Sequence, residues 1–134
     1  MNVVYEDNHI IIVNKASGEI VQGDKTGDIP LSETVKQYIK EKYQKPGNVF
    51  LGVVHRLDRP VSGLVVFAKT SKALSRLNDM FRTGDVHKTY WAIVKRGDIA
   101  PEATLTDWLT RNERQNKSYA HPREVPGSKK AVLS

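Results

Sequence analysis

The chain has 134 residues, a hydrophobic content of 39%, no cysteine and a formal net charge of +6. Its length and composition indicate one folded domain and exclude a disordered chain, while the lack of cysteine excludes a disulfide framework and a thiolate metal site. No run approaches the ~20 apolar residues of a membrane span, and the N-terminus lacks a secretory signal, so we expect a cytoplasmic protein without a membrane partner. The charge favours a polyanionic partner such as nucleic acid; the alternative is a basic protein without one, and the oligomeric state stays open.

The first part of the chain predicts two short strands, a loop and a helix. Residues 3–13 form the strands, and the glycine-containing segment 15–29 forms the loop. Asp28 or Ser32 is a suitable cap for the helix, and Pro46-Gly47 ends the segment. Between the cap and this stop signal, apolar side chains recur at helical spacing, at Leu31, Val35, Tyr38, Ile39 and Tyr43.

The middle of the chain predicts a loop between two apolar strands and then a second helix. The strands are residues 49–54 and 64–69. Thr70 or Ser71 caps the helix and Thr83-Gly84 stops it. One face of this helix is apolar, at Leu74, Leu77 and Phe81.

The last part of the chain predicts strands at 86–94 and 103–109. Residues 111–130 are polar and basic and show no periodicity, and residues 129–134 read as the opening of a further strand. Hairpins mixed with helices indicate an α+β fold with a mostly antiparallel, mixed sheet and flanking helices.

The loop between the two middle strands holds one acid, Asp58, between Arg56 and Arg59. Groups that carry function often sit on loops anchored by a sheet, and an arginine within a few ångströms favours the ionised carboxylate. Asp58 is therefore a candidate nucleophile or electrostatic stabiliser. The alternative from residue types alone is an ordinary turn, because Asp-Arg-Pro and Ser-Gly are common turn sequences.

The string His55-Arg56-Leu57-Asp58, followed by Ser62-Gly63, resembles the catalytic motif of the pseudouridine synthases, specifically their RluA-like branch. The segments 3–15 and 88–94 resemble that family's opening strands and its Lys-x-Tyr-x-Ala strand, in the same order. Two departures are visible. Lys15-Ala16-Ser17-Gly18 lacks the usual proline, and Val61 stands where a threonine is common; neither touches the acid or the glycine.

The resemblance implies isomerisation of uridine to pseudouridine in ribosomal or transfer RNA, with no cofactor and no metal. Asp58 would act as the nucleophile or as a base on the sugar, and these two roles stay open. Tyr90 would stack on the uracil or assist removal of the C5 proton; its alternative is a core strand residue. Arg56 would either pair with Asp58 or bind the substrate by filling the space that the flipped nucleotide leaves. The loop would be shaped by His55, Ser62 and Gly63.

The resemblance also implies that residues 1–134 are the N-terminal portion of a longer catalytic domain, without the small S4-type RNA-binding domain found in many relatives. The alternative function is a non-catalytic RNA-binding module that keeps the fold. A hydrolytic nuclease is disfavoured, because the sequence shows no acid cluster suited to metal ions.

Overall fold

The computed structural model describes residues 1–134 and divides into two compact units, Met1–Thr89 and Tyr90–Ser134. Neither of the two helices has the length and apolar character that crossing a bilayer requires. The helices and strands in chain order are β1 (Asn2–Glu6), β2 (Ile10–Lys15), α1 (Leu31–Lys42), β3 (Gly52–Val53), β4 (Gly63–Ala68), α2 (Ser71–Thr83), β5 (Leu105–Asn112), β6 (Lys117–His121) and β7 (Lys129–Leu133).

The first unit is a four-stranded antiparallel sheet with strand order β1-β2-β4-β3. β2 and β4 pair along their full length, from Ile10 opposite Ala68 to Lys15 opposite Gly63. Alternate residues of these central strands are buried, and α1 packs the same core with its apolar stripe. The core residues are Ile11, Val13, Val21, Leu31, Val35, Ile39, Val65 and Phe67.

Helix α2 forms as the sequence predicts. The Thr70 side chain accepts a hydrogen bond from the Ala73 amide at 3.1 Å, and Gly84 ends the helix in the left-handed conformation at φ 79°. Gly52 of β3 lets this helix approach the sheet, because a Cβ there would lie 2.8 Å from Cδ1 of Leu74.

The start of α1 differs from prediction, since neither Asp28 nor Ser32 caps it. Pro30 occupies the cap position and makes no side-chain cap bond. The first helical amides are instead bound by main-chain carbonyls of the preceding loop: Leu31 N–H donates to Ile20 O at 2.8 Å and Ser32 N–H to Val21 O at 3.1 Å.

The second unit contains a three-stranded antiparallel sheet with strand order β6-β5-β7. The expected strands at 103–109 and 129–134 are present as β5 and β7, and β6 lies in the stretch that lacks periodicity. The expected strand at 86–94 is wrong, since residues 86–104 contain no helix or strand. Strand 49–54 is reduced to Gly52–Val53. The alternation of apolar and polar residues shows which side chains could share one face of a strand, but a strand also needs a neighbouring strand for its backbone hydrogen bonds.

An α+β architecture with antiparallel sheets and two helices is therefore confirmed.

Candidate active site

Asp58 lies in the loop that connects β3 to β4, and its side chain is exposed. Leu57 beside it packs against the core, while Arg56 on the other side of Leu57 is exposed like Asp58. The loop turns tightly after the acid, since Val61 N–H donates to Asp58 O at 3.0 Å. The alternation of exposed and core-contacting side chains fixes the loop to the sheet while it directs the acid outward.

Lys15 supports this loop from beneath. Its residue is fully buried, and its ammonium donates to the carbonyl oxygens of Ala16 at 3.0 Å, Arg59 at 3.1 Å and Val61 at 2.5 Å. Burial lowers the pKa of Lys15 below its usual value; the carboxylates of Glu19 and Asp58 act against that shift. The ammonium of Lys15, at the end of β2, thus holds the carbonyls of Arg59 and Val61, which follow Asp58 in the loop.

The turn after β2 adds further bonds to the same segment. Gly18 N–H donates to Arg59 O at 2.8 Å, and Ser17 Oγ–H donates to Pro60 O at 2.9 Å. Gly18 adopts φ +94°, a conformation that favours glycine. The turn therefore keeps its contact with the Asp58 loop although it lacks the proline that is usual in the family.

The sequence analysis overlooked Lys15 as a support for the site, although a signal was present. Ile11, Val13 and Lys15 are alternate residues of β2 and share one face of the strand. The first two face the core, so the same parity places the lysine in the protein interior. A buried ammonium needs hydrogen-bond acceptors, and the Asp58 loop provides them.

Arg59 does not flank Asp58 as an ion-pair partner. Its guanidinium lies 2.8 Å from Asp28 Oδ2 and 3.7 Å from Asp24 Oδ2, and it also donates to Gly18 O at 3.2 Å. The pairing of Arg56 with Asp58 is also absent, since neither side chain forms a salt bridge within 4 Å. Adjacent residues point in different directions, so the local sequence could not determine the partner of either arginine.

His55 supports the loop from the side of α2. Its Nε2 accepts a hydrogen bond from Val66 N–H at 3.0 Å, and its ring stacks on Phe81 with centroids 5.0 Å apart. Burial lowers the pKa of His55, and the positive charge of Lys88 lowers it further. The neutral ring is the form that accepts this bond, which assigns the proton to Nδ1.

Gly63 begins β4 at φ +140°, as expected for a glycine that shapes this turn. A Cβ at this position would have room beside Leu57, so the constraint is the backbone conformation. Ser62 is exposed and makes no side-chain hydrogen bond; a role for it beyond the turn stays a prediction.

Tyr90 lies in the segment without helix or strand that follows α2, at the first residue of the second unit, and is 57% exposed. It is neither a strand residue nor a core residue, which corrects the alternative interpretation of its position. Its function in the reaction stays a prediction.

The profile of the RNA pseudouridylate synthase family matches residues 9–134, and the chain belongs to this family.

Two bacterial relatives illustrate the match. The chain is 38% identical over 124 residues to a ribosomal large subunit pseudouridine synthase C of Vibrio cholerae, covering 92% of this chain and 38% of that protein. It is 37% identical over 113 residues to a tRNA pseudouridine synthase C of the same organism, covering 84% of this chain and 43% of that protein. The chain thus spans about two-fifths of the length of these relatives.

A solved structure, Human RNA Pseudouridylate Synthase Domain Containing 4, shares the fold with a TM-score of 0.77 and 20% identity, covering 98% of this chain and 51% of that one.

Proposed function

We propose that this chain carries the catalytic aspartate of an enzyme that isomerises uridine to pseudouridine in ribosomal or transfer RNA in the cytoplasm. The observation that carries the proposal is Asp58 itself, which is exposed, free of ion pairs, and held on a loop that Lys15 binds at two carbonyls. The names of the relatives support the reaction and both classes of RNA.

The reaction breaks the N1–C1′ bond of uridine, forms a C5–C1′ bond, releases the C5 proton and leaves a proton on N1. Reactant and product are isomers, so no electrons are gained or lost. Asp58 can attack C1′ as a nucleophile or remove a proton from the sugar while the base detaches. Either role requires a carboxylate oxygen that reaches the nucleoside, and the Asp58 side chain is exposed and has no salt bridge that would compete for it.

Arg56 is exposed two residues before the acid and has no salt bridge, so its guanidinium is available to the RNA. A stacked uridine must leave the helix before its glycosidic bond can react, and a planar cation can occupy the space left behind. Tyr90 is proposed to contact the uracil ring.

The decisive variant is Asp58→Asn, which keeps the shape of the side chain and removes its charge. In an active polypeptide that contains this chain, we expect it to abolish tritium release from RNA labelled at uridine C5. Folding should change by no more than about half a kcal/mol, because the side chain is exposed. Asp79→Asn, the same change on the exposed surface of α2, is the control and should keep full activity. Comparable tritium release from the two variants would refute the assignment.

A further inference from the structure

The sheet of the second unit has two chemically different faces. Trp108 pairs with His121 on one side and with Lys130 on the other, so these three side chains share a face. Tyr119 and Lys117 lie two and four residues before His121 and project from the same side. We call these five residues the aromatic–basic face.

The opposite face carries most of the apolar strand residues together with two cations. These residues are Leu105, Leu109, Ala120, Ala131 and Leu133, and the cations Arg111 and Lys129; one apolar residue, Val132, shares the aromatic–basic face. Asp107, the only acidic residue within the three strands, also belongs to that face. The aromatic–basic face therefore combines two large rings and two ammonium groups with no carboxylate among its strand residues. This composition is complementary to an anion that also has flat, apolar parts.

The cations and the rings of this face lie against each other. Lys117 Nζ lies 5.3 Å from the centre of the Tyr119 ring, and Lys130 Nζ lies 6.0 Å from that of Trp108. Tyr119 is 40% exposed. A base that stacks on such a ring gains more than an exposed cation–π contact is worth. The displaced ammonium remains nearby and can pair with a phosphate.

We propose that the aromatic–basic face binds a single-stranded segment of the RNA. The proposal rests on the proposed function for the identity of the ligand, but the face is separate from Asp58 in the chain. Double-stranded RNA would not present unstacked bases to the rings, and an acidic protein surface would use the lysines without needing the rings.

Neighbouring lysines of β7 provide a matched test, because Lys130 belongs to the aromatic–basic face and Lys129 to the opposite one. Binding of this chain to a labelled single-stranded RNA oligonucleotide is measured by fluorescence anisotropy at low and moderate salt. We expect Lys130→Gln to raise Kd about fivefold and Tyr119→Leu about tenfold, with Lys129→Gln within twofold of the parent. Equal losses for the two lysine variants would overturn the proposal, because binding would then depend on overall charge alone.

Tryptophan fluorescence provides a second readout. The chain has two tryptophans, and Trp91, at 98% exposure, can be replaced by phenylalanine so that Trp108 reports alone. We expect single-stranded RNA to quench Trp108, and poly-glutamate and an abasic sugar–phosphate polymer to leave it unchanged. Binding without quenching, or poly-glutamate binding that depends equally on Lys130, would overturn the proposal in favour of a general anion site or an acidic protein partner.

The two proposals fail separately. If RNA binds through the aromatic–basic face but Asp58→Asn retains tritium release, the catalytic assignment of Asp58 is wrong and the proposed RNA-binding face is supported. If Asp58→Asn is inactive but Lys130→Gln and Tyr119→Leu bind RNA like the parent, the proposed RNA-binding face is wrong and the catalytic assignment is supported.

Discussion

Replacing Lys15 by methionine separates the stability of the fold from the placement of the Asp58 loop. Methionine keeps an unbranched apolar side chain inside the sheet and removes the ammonium that binds Ala16, Arg59 and Val61. Two of these carbonyls keep another donor, since Arg59 O also accepts from Gly18 N–H and Ala16 O from Glu19 N–H. The carbonyl of Val61 loses its donor.

The expected cost follows from these bonds. A hydrogen bond to a charged group contributes about 1.5–3 kcal/mol net, and part of that is recovered because the ammonium no longer has to be desolvated. We therefore expect Lys15→Met to lower the free energy of unfolding by about 2–3 kcal/mol. In an active polypeptide that contains this chain, kcat should fall about a hundredfold, because a displacement of about 1 Å can cost that much.

Lys69→Met is the matched control, because Lys69 is the other nearly buried lysine and follows β4 at the opposite end of its ladder with β2. Its ammonium binds Glu6 Oε1 at 2.7 Å and Asp7 O at 2.6 Å. Its removal should cost similar stability and leave kcat per folded molecule within about threefold of the parent. Stability is measured by urea unfolding and activity by tritium release. An equal loss of kcat in both variants would refute the claim that Lys15 positions the Asp58 loop.

Three further predictions concern stability, each measured by urea unfolding. Gly63→Val should destabilise the first unit by about 1–3 kcal/mol and distort the Asp58 loop, since φ +140° is strained for any side chain; unchanged stability would contradict this geometry. Burial raises the pKa of Glu6, but four hydrogen bonds outweigh it and lower that pKa to about 2, so Glu6 stabilises the fold above its ordinary pKa and this contribution fades as the pH falls towards 2. Glu6→Gln should cost on the order of 1–2 kcal/mol at pH 7, after allowing for solvent screening, and should make the pH dependence between 5 and 2 shallower; an identical pH profile would count against the network. The lowered pKa of His55 means that its contribution is present above pH 6.5 and is lost as the pH falls; His55→Phe should keep the stack on Phe81 and remove this component, so a variant that loses as much stability as the parent between pH 7 and 5 would disprove it.

The parts of the fold that the sequence could predict depend on residues that are close together in the sequence. Thr70 caps α2 through an amide three residues away, and Gly84 ends it through its own backbone conformation. The positive φ of Gly63 is likewise a local property, which a Ser-Gly turn indicates. The first two strands and the face of each helix follow from hydrophobic periodicity, which is also local.

The errors arise where distant segments supply the partner. The first amides of α1 bind carbonyls of Ile20 and Val21, so a side-chain cap is unnecessary there. Segment 86–94 has the alternation of a strand, but none of its residues has a strand partner. Arg59 pairs with acids about thirty residues away in sequence, a distance that no local pattern encodes.

The candidate site likewise has one part that the sequence could predict and one part that it could not. The motif around Asp58 points to the acid as the candidate catalytic group because its residues are consecutive in the sequence. The support of the acid depends on Lys15, whose amino group meets carbonyls forty-four and forty-six positions away in sequence. Strand parity places that lysine in the interior, but only the paired strands show which carbonyls it binds.

The distribution of charge around the loop explains how the acid stays available. Lys15 binds the backbone of the loop and Arg59 belongs to the loop, yet each uses its hydrogen bonds on partners other than the Asp58 carboxylate. Lys15 donates only to main-chain carbonyls, and Arg59 binds Asp28 and the loop after β2. In the proposed function the carboxylate of Asp58 has to reach the nucleoside, and neither of these two cations competes for it. These two cations therefore stabilise the backbone around the loop and leave the acid that we propose to be catalytic without a salt bridge.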